Sequence, residues 1–202
     1  LGLSVPASAQ DRSVLGGFQL GLSFPTGSGD ALYTDSGYGY IFKGTKFTSS
    51  VADFTDGSVA FLVGAHALFN IKNGHAVRVR LEYTQTSGTT RTKLGVPFDS
   101  SATTVGVMGD YLFHFTGRPV GPYALAGYGF EKTTVKVNNP YAGTTSNAKG
   151  APAWNLGLGY QPNQVVGFEL KYSSSHPDGM TYHGLPFMLK NDRWMASVDF
   201  SF

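Results

Sequence analysis

The feature that most constrains this chain is a period-two alternation of apolar with polar or small residues, repeated eight times along its length. In the first run Phe18, Leu20, Leu22 and Phe24 share one face, and Gly17, Gln19, Gly21 and Ser23 share the other. Successive side chains of a strand point to opposite faces, so each run specifies a strand with one apolar face and leaves no room for a helical period. The third run is the cleanest, with Val77, Val79, Leu81 and Tyr83 opposing Arg78, Arg80, Glu82 and Thr84. Other runs lie at Val59 to Phe69, Thr104 to Phe115, Trp154 to Tyr160, Val166 to Tyr172 and Arg193 to Phe202. In the fifth run, Tyr123 to Lys132, the phase is less sharp. There Ala124, Ala126, Tyr128 and Phe130 are assigned to the apolar face, against Gly127, Gly129 and Glu131.

The joins alternate too. Three are short and carry Gly or Pro, as tight turns do: Ile71 to His75, Thr116 to Val120 and Gln161 to Asn163. Four are long: Pro25 to Gly57, Ser87 to Ser100, Thr134 to Gly150 and Ser174 to Lys190. Short joins at one end and long ones at the other describe an up-and-down arrangement.

Which face meets solvent is decided by the minor face. It carries Arg78, Arg80, Glu82, Asp110, Glu131, Glu169, Lys171, Arg193 and Asp199, interleaved with Gly, Ser, Thr and Asn. Four cations and five anions suit a narrow interior where charges pair. The Val, Leu, Phe, Tyr and Trp of the other face are too bulky to fill an eight-stranded lumen together. Only 14% of the 202 residues are charged, well below the usual quarter or so, which agrees with a surface largely turned away from water. No helix crosses a membrane here: the longest apolar run, Val59 to Phe69, is short and contains Gly64 and His66. The fold class is therefore all-β, an eight-stranded antiparallel up-and-down transmembrane β-barrel, because backbone groups in lipid must all be paired and the sheet has to close. Aromatics gather at the run ends. Phe24, Tyr83, Trp154, Tyr172 and Trp194 lie toward the long joins, and Phe69, Phe113, Phe115, Tyr160 and Phe200 toward the short ones, as two interfacial girdles require.

At the start of the chain, Leu1, Leu3 and Val5 read as the end of an apolar segment, and Ala7, Ser8 and Ala9 as a small-x-small cleavage signal before Gln10. Residues 1–9 are expected to be the remnant of a secretory signal peptide and residues 10–202 the barrel domain. A net charge of +2 with scattered Lys and Arg excludes nucleic acid as a partner. With no cysteine there is no disulfide or thiolate chemistry.

The last run closes on Phe200 and Phe202 and resembles the C-terminal signal of bacterial outer-membrane proteins. With the leader, the Gly-x-Gly strands and the join rhythm, the chain resembles the small eight-stranded outer-membrane barrels of the OmpA-type and opacity-type group. The resemblance implies the bacterial outer membrane as location and its lipid and lipopolysaccharide as surroundings. It also implies recognition of Phe200 and Phe202 by the barrel assembly machinery.

Chemistry is sparse. There is no nucleophile elbow, zinc-protease motif or phosphate loop, and the Gly-x-Gly pairs at 127/129 and 157/159 are strand glycines with no following helix. No cofactor is implied. His176, Asp178 and His183 share one long join and could bind a metal, although solvated loop residues account for them better. Some eight-stranded outer-membrane barrels are lipid A acyl hydrolases with a His and a Ser two residues apart; Ser173, Ser174, Ser175 and His176 are superficially similar, in reversed order. The charged lumen reads either as a salt-bridged plug, which the narrow wall favours, or as a narrow ion channel. The loop 25–57, with Tyr33, Tyr38, Tyr40, Phe42, Phe47 and Phe54, reads equally as a binding surface for a ligand or as a cover folded over the mouth. Alternation in Gly37 to Lys43 suggests a hairpin in it, and a spanning hairpin would raise the strand count to ten. The expected role is structural or surface-interactive, not enzymatic.

Overall fold

The computed structural model describes residues 14–27, 47–91, 97–139, 143–182 and 185–202. In chain order these form β1 (Val14–Thr26), β2 (Phe47–Ser50), α1 (Val51–Thr55), β3 (Ala60–Asn70), β4 (His75–Arg91), β5 (Pro97–His114), β6 (Gly121–Asn139), β7 (Gly143–Gln161), β8 (Val166–Ser175), β9 (Met180–Tyr182) and β10 (Leu185–Ser201). The order across the sheet is β1-β3-β4-β5-β6-β7-β8-β10, and β10 returns to pair with β1. Every one of these pairings is antiparallel. At the seam Phe18 faces Phe200, and Gly16 and Phe202 exchange both backbone hydrogen bonds, at 3.1 and 2.8 Å. Eight strands thus close a wall with no free edge at membrane depth, the condition for a sheet to sit in lipid. β2 and β9 are short additions to the far part of β10 and do not cross the membrane.

The end with the three short turns is called lower, the other upper. At the first lower turn Asn73 (φ 62°) and Gly74 (φ 80°) are left-handed, the conformation a two-residue hairpin turn needs to match strand twist.

The alternation maps onto the wall as expected. Leu81, Val107 and Leu158 are 52, 54 and 63% exposed, while Arg80 and Lys171 are fully buried. In the fifth run Tyr128 and Phe130 point out and Glu131 points in. An apolar outer band flanked by aromatics is the surface that a hydrocarbon layer covers.

Two features differ from expectation. The joins Ser87 to Ser100 and Thr134 to Gly150 are mostly strand: β4–β5 pairing continues to Arg91 and Pro97, and β6–β7 pairing to Asn139 and Gly143. Likewise β8 runs on to Ser175, and β10 starts at Leu185. The cause is a reversal of the pattern above the hydrocarbon layer. There Val135 and Val137 point in and are buried, while Lys132 and Lys136 point out into water. The second difference is that apolar clusters lie below and above the charged middle of the lumen. Leu15, Leu68, Ala76, Leu112, Tyr123 and Leu125 form an apolar floor. A ceiling of Ala102, Val135, Val137, Met180, Phe187 and Leu189 closes on Val51 and Phe54 of α1.

The helix is held by a capping box. The Ser50 hydroxyl accepts from the Asp53 amide at 3.1 Å, and the Asp53 carboxylate accepts from the Ser50 amide at 2.8 Å. Phe54 packs on Phe187 with ring centres 5.9 Å apart, and its carbonyl accepts a hydrogen bond from the Ser100 hydroxyl. Thr86 Oγ1 ties Ser58 O to β4 at 2.8 Å. The described end of the loop 25–57 therefore folds over the mouth. Tyr33, Tyr38, Tyr40, Phe42 and the run Gly37 to Lys43 lie outside the described residues, as does the segment 1–9.

Candidate functional site: the lumen and the upper rim

Nine charged side chains, all from inward positions of the alternation, fill the middle of the barrel, and none is more than 5% exposed. Arg78 donates from Nε to Asp110 Oδ2 at 3.1 Å and from Nη2 to Glu169 Oε2 at 2.6 Å. Arg80 donates to Glu169 Oε1 at 2.9 Å and Asp110 Oδ1 at 3.2 Å, and its Nε lies 3.3 Å from Glu82. Lys171 bridges Glu82 at 2.5 Å and Glu169 at 3.2 Å. Asp199 is held most loosely, 3.7 Å from Arg78, beside a cavity of about 20 Å³ lined by His66, Tyr123 and Gln161 among others. Higher up, Arg193 pairs with Glu131, which also accepts from Ser175 Oγ at 2.8 Å. Asn191 Nδ2 donates to Thr104 and Thr133 at 3.2 and 3.1 Å. The inward side chains Leu62, Met108 and Met195, of which Met108 lies opposite Arg80 and Met195 opposite Lys171, are at most 1% exposed.

Glycines make this filling possible. A Cβ at Gly127 would strike Asp110 and Asn155, and one at Gly159 would strike the Tyr123 ring. Asn155, which donates to Asp110 at 3.1 Å, Gln19, which donates to Ser197 at 2.7 Å, and Tyr123, which donates to Glu169 at 3.2 Å, belong to the interior network but carry no formal charge. Their inward phase was the only signal for them.

Of the aromatic candidates, Phe24, Tyr83, Trp154 and Trp194 are exposed on the outer wall toward the upper end, with Tyr172 between the two tryptophans. Trp154–Tyr172 and Tyr172–Trp194 ring centres are 5.6 and 5.3 Å apart. Toward the lower end Phe69, Phe113, Phe115 and Tyr160 are exposed. Phe200 stacks on Phe18 at 4.8 Å, with Phe202 at 6.5 Å from the same ring.

Just above the tryptophans, Ser174 lies opposite Asp192 in the β8–β10 ladder. His176 Nε2 is 3.3 Å from Ser174 Oγ and 3.1 Å from Asp192 Oδ1. The serine beside the histidine is thus Ser174, whereas Ser173 and Ser175 point into the lumen. An acyl-transfer relay needs the base to use one ring nitrogen for serine and the other for the carboxylate; here both meet the same nitrogen. His183 lies outside the described residues. Among the described residues no group of three His, Cys, Asp or Glu is placed to hold a metal.

A closed antiparallel wall with apolar side chains outside and paired charges inside is an integral membrane β-barrel. The family described as the outer membrane protein beta-barrel domain matches residues 1–202, and the chain belongs to that family. It is a bacterial outer-membrane protein. The fold is similar to that of Ail, the attachment invasion locus protein of Yersinia pestis, crystallised with the heparin analogue sucrose octasulfate. That likeness has a TM-score of 0.57 at 14% identity and covers 95% of this chain and 100% of Ail. It is also similar to Neisserial surface protein A, with a TM-score of 0.56 at 11% identity, over 95% of this chain and 98% of that one. No curated protein sequence matches the chain significantly.

Proposed function

We propose that this protein is a sealed, non-enzymatic outer-membrane barrel that acts through the surface its upper end presents outside the cell. The observation that carries the reading is the stacking of closures in the lumen: apolar floor, charge cluster, upper polar layer and helix-capped ceiling. A water path for ions needs a continuous lining of polar groups facing open space, and the charged groups here face one another. The upper hairpins carry exposed Lys132, Lys136 and Lys149, which suits contact with anionic surfaces, and Ail, of similar fold, was captured with a sulfated sugar. Residues 1–9 act as the tail of the export signal, and Phe200 and Phe202 serve the assembly machinery. The two aromatic girdles hold the barrel at depth among phospholipid and lipopolysaccharide.

Planar-bilayer recording tests the sealed lumen. The purified barrel is expected to give no unitary current steps. Steady steps whose size changes in Arg78→Ala or Glu82→Ala would establish a channel instead.

A further inference from the structure

The charges inside the barrel do not cancel. Arg193 stands with Glu131 in the upper layer, which leaves Arg78, Arg80 and Lys171 against Glu82, Asp110, Glu169 and Asp199 at mid-depth. With histidine neutral, the surplus is one negative charge, and the geometry gives it to Asp199. Glu169 and Asp110 each accept from both arginines, and Glu82 accepts from Lys171. Asp199 is 5% exposed, neither of its oxygens has a hydrogen bond among the described residues, and Arg78 stands 3.7 Å away. The carboxylate borders the cavity of about 20 Å³ that also takes in His66, Tyr123, Gln161, Gly167 and Ser201. His66 bonds Ser201 Oγ through Nε2 at 3.1 Å, and its Nδ1 has no partner among the described residues. Tyr123 gives its proton to Glu169. Arg78, the cation in the lining, already holds Asp110 and Glu169 at 3.1 and 2.6 Å.

We propose that this cavity binds one small monovalent cation of the alkali class, held by the Asp199 carboxylate. A buried charge without a full partner is costly, so the occupant brings positive charge. The surplus is a single unit, which a divalent ion would overshoot. The volume is about that of one water-sized body, too small for an organic cation. A water molecule would fit and would satisfy lone pairs, but it would leave the charge uncompensated. Carboxylate, hydroxyl and amide oxygens are the ligands that hard cations take, and Asp199, Ser201 and Gln161 offer one of each kind. Gln161 and Ser201, each 6% exposed, end β7 and β10 at the lower rim, so the ion enters from that side. It stays below the charge cluster and passes nothing through it, so the site stands whether or not the barrel conducts. Gly167 keeps the room for it: a Cβ there would lie 3.8 Å from Asp199 Cβ and 4.0 Å from the Tyr123 hydroxyl, filling space without a clash.

The test is urea unfolding in phosphatidylcholine vesicles, whose lipid has no net charge, at neutral pH. Sodium chloride replaces N-methylglucamine chloride at constant ionic strength, which separates binding from screening. Sodium is expected to raise the urea midpoint saturably, with the unfolding constant falling about tenfold when sodium exceeds its dissociation constant about ninefold. Asp199→Asn should remove this response and, without sodium, leave the barrel at least as stable as the parent, since the surplus charge is gone. Gly167→Ala keeps every charge but puts a methyl into the cavity, and should remove the response as well. Lys72→Ala, on the first lower turn, should respond as the parent does. Heat-modifiable gel mobility confirms that each variant is folded. A parent midpoint indifferent to sodium would overturn the proposal, as would an undiminished response in Asp199→Asn or Gly167→Ala. A midpoint that follows pH equally in both salts would overturn it in favour of a proton at the same place.

Discussion

Arg80 and Glu169 are separated by 89 residues of chain and meet at 2.9 Å inside the barrel. Neither has access to water, and each has further partners of opposite sign: Asp110 and Glu82 for the arginine, Arg78 and Lys171 for the glutamate. A charge this deep is tolerable only as a member of a paired set.

Removing one member should therefore cost more than removing two. Arg80→Met is expected to destabilise the barrel by about 3–5 kcal/mol, because Glu169, Asp110 and Glu82 lose a common cation. Adding Glu169→Gln should recover part of that loss, with a coupling of roughly 0.5–3 kcal/mol. Urea unfolding in lipid vesicles measures both; additive losses would show that the pair is not a unit.

On the outer wall the expected cost depends on depth. Leu81→Arg, near the middle of the apolar band, should lower stability by about 2–4 kcal/mol, and Tyr83→Arg, at the aromatic level, by about 0–1 kcal/mol. The folded fraction on heat-modifiable gels and the urea midpoint report the difference.

Much of this arrangement is legible in the sequence because membrane depth imposes it. Where lipid surrounds the wall, Val77 to Tyr83 must alternate with Arg78 to Glu82, and the phase alone tells inside from outside. Above the lipid the same strands continue under the opposite rule, with Val135 and Val137 inward and Lys132 and Lys136 outward. A pattern sought as apolar-outward therefore stops too early, at the membrane boundary. Leu125 was hidden for a similar reason, since it points in at the lower end, where an apolar cluster lines the lumen. The pairing of Ser174 with Asp192 depends on strand register, which no local pattern of residues specifies.

Close approach makes a third test. Gly159→Val would drive its side chain into the Tyr123 ring, and overpacking of this kind costs about 1–3 kcal/mol. Gly16→Ala, where a Cβ meets nothing within 4 Å, should leave assembly unchanged. Equal yields of folded barrel from the two variants would show that the lumen has slack at this point.

The helical cover should be separable from the wall. Phe54→Ala removes the side chain that α1 packs on Phe187, and Ser50→Ala removes a cap worth about 1 kcal/mol. In both variants limited proteolysis should cut within residues 47–58 sooner than in the parent, while heat-modifiable mobility of the barrel is retained. Protection equal to the parent's would mean that the capping box and Phe54 do not hold the cover.

The claim beneath all of these is that the apolar face is wrapped in lipid while the hairpins above it stand in water. The chain has no cysteine, so a single nitroxide can be placed at Leu81, Val107 or Lys136 and its collisions with oxygen and with a water-soluble nickel chelate compared in reconstituted bilayers. Labels at 81 and 107 are predicted to meet oxygen far more often than nickel, and the label at 136 the reverse. A label at 81 as open to nickel as the one at 136 would contradict the account.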